Sequence, residues 1–256
     1  MNKALIGSTG FVGGNLKLST KFDFEYNRGN IYDIGNHEFD LVVCAAPGAV
    51  KWKANQFPEA DLAIVNELLE NLKYVKTKIF VQISTVDVYQ TPIDVDEDFD
   101  IETTLDTLHP YGKHRYLIER FVKKNFRDYL IIRLPGLFGI GLKKNVIFDL
   151  MNNNLLEMIH KDSVFQFYYL KRLWRDIKRA MKKNVKILNI TSEPISVEEL
   201  ARVAFKMNFK NVTEKPPVKY NLKSKFDKEF GGNNGYLYTK NIVLSDLFKF
   251  LEICNK

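Results

Sequence analysis

The chain has 256 residues, 45% of them apolar and 27% charged, with a formal net charge of +7. That length can bury a large core as one bilobed domain or two small ones, and the balance excludes wholesale disorder. No apolar run approaches the roughly 20 residues of a membrane span, and MNKALIGSTG enters structure with no signal peptide, so a cytoplasmic protein without a membrane partner is expected. The Lys and Arg residues are scattered, without the stripe and interleaved aromatics of a nucleic-acid binder, and the positive balance instead suits an anionic small molecule. The two cysteines, Cys44 and Cys254, form neither a disulfide framework nor a metal-ligand pattern, which fits a reducing compartment and no metal.

KALIG reads as a short strand, followed by the glycine-rich turn STGFVGG and the start of a helix. Phe22 to Tyr26 reads as a second strand and Phe39 to Ala46 as a third, apolar enough to be buried on both faces. PEADLAIVNELLENLKYV carries apolar residues at Leu62, Val65, Leu68, Leu69 and Leu72, the period of an amphipathic helix. Lys78 to Ser84 is another strand, an acidic loop leads to a helix from about His109 to Asn125, and Tyr129 to Leu134 is strand again. Alternating strands and helices predict an α/β protein with a Rossmann-type, doubly wound parallel sheet over residues 1–134.

Past Pro135 the rhythm changes. VIFDLMNNNLLEMI predicts a helix, SVFQFYYL a strand leading into the helix KRLWRDIKRAMKK, and VKILNI one more strand. Ser196 with Glu199 predicts a capping box opening SVEELARVAFKM, and a last helix runs from about Ile242 to Ile253. Residues 135–256 are expected to form a smaller C-terminal lobe, with a segment of about 163–190 returning to the sheet domain.

GSTGFVG places Gly7, Gly10 and Gly13 directly after a strand and at the mouth of a helix. In that context Gly7 permits the tight turn, Gly10 lets backbone approach a pyrophosphate, and Gly13 lets the helix pack close. Thr9, Phe11 and Val12 complete the turn, and the helix N-terminus offers free N–H groups to phosphates. A dinucleotide cofactor follows. The second strand runs into Tyr26, Asn27 and Arg28; Arg28 favours NADP(H) over NAD(H), because it can give a charge-assisted bond to a 2′-phosphate. Glu25 is the opposing reading, an acid for a ribose 2′-OH if the strand ends two residues earlier. Asp33 and Ile34 are placed beside the adenine.

Ser84 and Thr85 fall at the C-terminal end of a parallel strand, where such sheets keep their ligands. Tyr111 and Arg115, four apart, share a helix face. In order, GSTGFVGG, CAA, STVDVY, HPYGKHRYLIE and RLPGLFG resemble the extended short-chain dehydrogenase/reductase superfamily, the nucleotide-sugar epimerases, dehydratases and reductases. KWKAN, ISTVDVY, HPYGKHR and GLKKN are similar to a compact subgroup of NAD(P)-dependent oxidoreductases.

The resemblance implies that Tyr111 is the general acid/base, that Thr85 hydrogen-bonds the reacting oxygen with Ser84 beside it, that Ala45 and Ala46 border the cofactor, and that Pro135 begins the loop beside the nicotinamide. Arg115 stands where the superfamily has the lysine that holds the nicotinamide ribose and lowers the tyrosine pKa. Bringing a phenol from about 10 to 7 takes about 4 kcal/mol, at about 1.4 per unit. A guanidinium spreads its charge and reaches differently, so the exchange is not conservative. A neutral phenol can still protonate a developing alkoxide, so reduction is the less affected direction.

The second lobe is implied to hold a nucleotide-sugar. Lys143, Lys144 and Asn145 at a helix start, Lys51 and Trp52 after the third strand, and Tyr168, Tyr169, Arg172 and Tyr236 are the candidate contacts. The resemblance also implies a homodimer built on the helices Pro58 to Val75 and His109 to Asn125, which could instead only pack on their sheet. The expected activity is NADPH-dependent reduction of a nucleotide-linked keto sugar, such as a 4-keto-6-deoxyhexose in surface-polysaccharide biosynthesis. The alternatives are a nucleotide-sugar epimerase with tightly bound NAD, and a non-catalytic NADP-binding sensor.

Overall fold

A computed structural model describes residues 2–254. In chain order the elements are β1 (Lys3–Ile6), α1 (Phe11–Ser19), β2 (Phe24–Tyr26), β3 (Glu38–Cys44), α2 (Lys51–Gln56), α3 (Pro58–Leu72), β4 (Lys76–Thr85), α4 (Pro110–Asn125), β5 (Tyr129–Leu134) and β6 (Gly136–Phe138). There follow α5 (Val146–Asn152), β7 (Val164–Phe165), β8 (Phe167–Tyr169), α6 (Leu173–Lys182), β9 (Ile187–Asn189), β10 (Ile195–Ser196), α7 (Val197–Phe205) and α8 (Lys240–Cys254). They divide into two compact units. The first holds the chain up to Gln90, Phe99–Arg133 and Lys171–Leu188, and the second holds Thr91–Asp98, Leu134–Leu170 and the chain from Asn189 onward.

The first unit is built on a six-stranded sheet in the order β2-β1-β3-β4-β5-β9. β1 pairs in parallel with β2 on one side and β3 on the other, and β3 pairs in parallel with β4. This is the Rossmann-like α/β arrangement, and the strand order reverses between β1 and β3, the switch point where such sheets take ligands. Leu41, Val42, Val43 and Cys44 of β3 are fully buried, as the unbroken apolar run requires. Val65, Leu68 and Leu72 of α3 and Ile118 and Val122 of α4 pack into one core with Val42, Phe80 and Ile131. Both helices thus spend these apolar residues on the sheet.

The second unit contains the two-stranded pairs β6-β8, parallel, and β7-β10, antiparallel. Three expectations change here and in the first unit. The helix expected from Val146 to Ile159 stops at Asn152, because Asn153 turns left-handed at φ 50° and Asn154 Nδ2 folds back onto Asp149 Oδ1 at 2.7 Å; asparagine takes that conformation at little cost. SVFQFYYL splits into β7 and β8 around Gln166, whose buried amide donates to the Ser192 and Leu222 carbonyls at 2.6 and 3.0 Å. KWKAN, for which no element was expected, opens the helix α2.

Candidate active site

Gly7 sits at φ +82°, and a Cβ there would lie 2.9 Å from both the carbonyl carbon and oxygen of Ala45. The N–H groups of Gly7 and Ser8 donate to the Tyr26 carbonyl at 2.8 and 3.1 Å, which fastens the turn to β2. A side chain at Gly13 would run into the Gly7 carbonyl oxygen, so α1 can start this close to the sheet only on glycine. α1 has no side-chain cap and no acid in its first turn. Its N–H groups therefore face an open space with the helix dipole behind them, the environment a pyrophosphate requires.

The cavity beside this turn is lined by Gly7, Thr9, Gly10, Asn27, Arg28, Ala45 and Ala46 among the expected residues. It is lined also by Ile31, Pro47, Gly48 and, from α3, by Ile64, Glu67, Leu68 and Asn71, which no motif pointed to. Asp33 and Ile34 are not among the lining residues. Asp33 is exposed on a 3-10 turn and Ile34 is buried in the core, while Ile31, three residues earlier, supplies the apolar wall. Phe11 and Val12, the first residues of α1, and Gly13 after them are not among the lining residues either. Glu25 is held by Lys17 at 2.7 Å.

Tyr111 occupies the first turn of α4 and is 4% exposed. Three features place it. His109 caps the helix, accepting from Gly112 N–H on Nδ1 at 3.0 Å; Asn55 of α2 accepts from the Tyr111 N–H at 3.0 Å; and Gly112 lies against the Asp87 carbonyl, where any side chain would collide. The phenol is thereby brought beside Thr85 at the end of β4. Thr85 Oγ1 also accepts from Asp87 N–H at 3.1 Å, the turn that follows β4. Burial, first, and the Asp87 carboxylate push the Tyr111 phenol above its ordinary pKa, while Arg115, Thr85 and Lys51 pull it back. His109 stacks beside Tyr111 at 6.3 Å and is held neutral by burial and by Lys51.

Arg115 is 5% exposed, and its carbon Cζ lies 4.5 Å over the Tyr111 ring. Its fork does not stand open. Nη1 and Nη2 grip Asp61 of α3 at 2.9 and 3.0 Å, and Nη2 also donates to the Gly48 carbonyl at 3.0 Å. His114, next to Arg115 in sequence, is buried against the same carboxylate at 2.8 Å. Burial alone would raise the Asp61 pKa, but the bonds from Arg115 and His114 outweigh it and hold the group below the usual carboxylate range. Arg115 Nε is buried and has no hydrogen-bond partner among the described residues. No motif pointed to Asp61, which lies in the first turn of α3.

Ser84 points away from this site. Its hydroxyl donates to Glu119 Oε1 at 2.6 Å, inside a buried network in which Arg133 bonds Glu119 at 2.7 Å and Tyr89 at 2.6 Å. Side chains alternate along a strand, so Thr85 faces the cleft because Ser84 faces the core. Lys51, read as a substrate cation, is paired with Asp87 at 2.7 Å, and Trp52 beside it is 64% exposed. Arg172, in the first unit, precedes α6.

The remaining candidates lie in the second unit. Pro135 follows β5 and is half-buried, and Lys143 and Lys144 are exposed ahead of α5. Asn145 is committed to that helix, accepting from the Ile147 and Phe148 N–H groups at 3.0 and 3.2 Å and donating to the Leu137 carbonyl at 2.7 Å. Tyr168 and Tyr169 are buried. The Tyr236 hydroxyl donates to Asn221 Oδ1 at 2.6 Å and accepts from Lys223 at 2.7 Å.

The comparisons with known proteins agree with this architecture. The chain superposes over its whole length on a dTDP-4-dehydrorhamnose reductase from Clostridium acetobutylicum, covering 100% of both chains with a TM-score of 0.76 at 17% identity. A dTDP-4-dehydrorhamnose reductase from Bacillus anthracis in complex with NADP gives 0.76 at 17% identity over 99% of both chains. A UDP-galactose 4-epimerase gives 0.73 at 14% identity over 100% of this chain and 99% of the other. No curated protein matches by sequence. The family profile described as NAD dependent epimerase/dehydratase matches residues 27–158, just over half of the chain. With the phosphate turn and the Tyr111–Thr85 pair in place, the chain belongs to the NAD-dependent epimerase/dehydratase family and is an NAD(P)-dependent enzyme.

Proposed function

We propose that the protein is an NADPH-dependent reductase of a nucleotide-linked keto sugar. The observation that carries this reading is the state of Tyr111: 4% exposed beside Thr85 at the end of β4 and raised above its ordinary pKa by burial. A neutral phenol is prepared to give a proton to a carbonyl oxygen, whereas an epimerase begins by removing a proton from a hydroxyl and is helped by a phenolate. The cofactor supplies the hydride. Thr85 and Tyr111 polarise the carbonyl, Tyr111 protonates the oxygen, and Arg115, over the Tyr111 ring, adds positive charge beside it.

Two further features support it. Arg28 lines the nucleotide cavity and Glu25, paired with Lys17, does not, which favours a 2′-phosphate over a bare ribose hydroxyl as the group recognised. The two reductases named above share the fold, and one was solved with NADP. Lys143 and Lys144 are the cations proposed for the substrate diphosphate.

Calorimetric titration tests the cofactor half. NADPH binds about tenfold to a hundredfold more tightly than NADH, the worth of one charge-assisted bond, and Arg28→Ala removes the difference. Equal affinities for the two would overturn it. For the reaction, dTDP-4-dehydrorhamnose and a UDP-4-keto sugar are offered with NADPH; oxidation of the cofactor in the wild type and its loss in Tyr111→Phe are expected. An epimerase would instead leave the column with NAD bound.

A further inference from the structure

The segment that leaves β3 walls the nucleotide cavity without regular structure of its own. Ala45, Ala46, Pro47 and Gly48 all line that cavity. The first half is tied to the sheet, where Ala45 N–H donates to the Ile6 carbonyl at 2.8 Å and Gln82 Nε2 to the Ala46 carbonyl at 3.2 Å. Gly48, Ala49 and Val50 are exposed, so packing does not hold them. A Cβ at Gly48 would meet nothing within 4 Å.

The Arg115 guanidinium reaches this exposed stretch. Asp61 accepts from Nη1 at 2.9 Å and from Nη2 at 3.0 Å, one bond on each carboxylate oxygen, which fixes the plane of the fork. The other N–H of Nη2 then has a set direction, and the Gly48 carbonyl lies along it at 3.0 Å. His114 Nδ1, 2.8 Å from Asp61 Oδ2, steadies the carboxylate in turn. Asp61 stands in the first turn of α3, and Ile64, Glu67, Leu68 and Asn71 of the same helix line the cavity. One ion pair therefore joins α3, α4 and the segment after β3 at the wall of the cavity.

We propose that Asp61 and Arg115 are positioning residues for the cofactor, holding Gly48 so that the cavity wall is formed before the dinucleotide enters. Asp61 acts by aiming the guanidinium, and Arg115 acts through the backbone of Gly48. A wall already in place asks no ordering of the ligand, whereas a loose one is ordered at the expense of binding energy. A planar fork suits this task, since two of its edges serve two acceptors at a fixed angle; an ammonium on a flexible stem sets no such angle. The proposal rests on the cavity's taking an NAD(P) dinucleotide and not on the keto-sugar reading.

Backbone order parameters from nitrogen-15 relaxation of the cofactor-free, full-length protein test the hold on Gly48. In the wild type Gly48 and Ala49 should stand near the rigid value of about 0.85, and in Arg115→Met and Asp61→Asn they should fall below about 0.6 while β1 stays rigid. Asp61→Asn leaves the guanidinium buried without its counter-charge, so a paired exchange, Asp61→Leu with Arg115→Met, replaces the ion pair by an apolar contact that keeps the fold. It should show the same local loosening. A purely structural role lowers the urea midpoint and leaves Gly48 and Ala49 as rigid as in the wild type; that result, or a Gly48 already mobile in the wild type, overturns the proposal.

Calorimetry on the same proteins tests the consequence for binding. The Kd for NADPH should rise about tenfold in each variant, about 1.4 kcal/mol, and the Kd for NADH by the same factor, because both dinucleotides share this wall. Loosening of Gly48 at unchanged affinity overturns the proposal. So does weaker binding with Gly48 still rigid, which would mean that the guanidinium acts only by its charge. A wild type that binds neither dinucleotide would refute the cofactor reading itself, and the order parameters, measured without cofactor, would still decide whether the ion pair holds Gly48.

Discussion

Replacing Gly112 by alanine probes the approach that brings Tyr111 to Thr85. In an exposed helix this exchange stabilises, by about 0.4–1 kcal/mol, because glycine loses more backbone entropy on folding. At Gly112 the added methyl would meet the Asp87 carbonyl oxygen well inside the 3.0 Å that real Cβ atoms respect, with Leu108 Cδ1 at 3.0 Å and His109 Cε1 at 3.1 Å closing the other sides. The obstacle is backbone, so the start of α4 must retreat, at a cost of about 1–3 kcal/mol for an overpacked contact.

Gly14 of α1 is the matched control, since nothing lies within 4 Å of a Cβ there. Gly14→Ala should therefore be stabilising and Gly112→Ala destabilising, a gap of at least about 1.5 kcal/mol. At a urea m-value of about 2 kcal/mol/M that is about 0.75 M between the two unfolding midpoints. The shift also moves the phenol, and a displacement near 1 Å costs about a hundredfold in turnover. Equal midpoints for the two variants would refute the close approach and with it the account of how Tyr111 is placed.

Two other substitutions separate core from site. Ser84→Ala should cost about 1–2 kcal/mol in urea unfolding, because Glu119 loses a buried bond, and leave NADPH affinity unchanged in calorimetry; a stable variant with altered cofactor affinity would return Ser84 to the cleft. Asp61→Asn should cost about 3–5 kcal/mol, since the Arg115 guanidinium stays buried without its counter-charge. Asp61 lies below the usual carboxylate range in the folded chain, so its contribution is present above its unfolded value of about 4 and is lost as pH falls through the folded value. Unfolding curves between neutral and acid pH should fall more steeply for the wild type than for Asp61→Asn, and parallel curves would show that the pair carries no such linkage.

Much of the first unit was legible because its signals are local. Gly7 and Gly13 mark a turn and a helix approach that only glycine allows, and the run Leu41 to Cys44 marks a strand buried on both faces. Strand alternation also separates Thr85 from Ser84, so one of the pair had to face the core. The order of those motifs was enough to place Tyr111 near a strand-end hydroxyl. The break at Asn153 was less legible, because NNN is compatible with a frayed helix until Asn154 finds Asp149.

What the chain by itself determined was the sheet and the glycine turn, since each follows from residues adjacent in sequence. What only the tertiary structure decided was the fate of the charges. Asp61 takes Arg115 and His114 across more than fifty residues, Lys17 takes Glu25, and Lys51 takes Asp87. Ion pairing depends on distances of a few ångströms in space, and sequence spacing fixes such distances only within one helix or one strand.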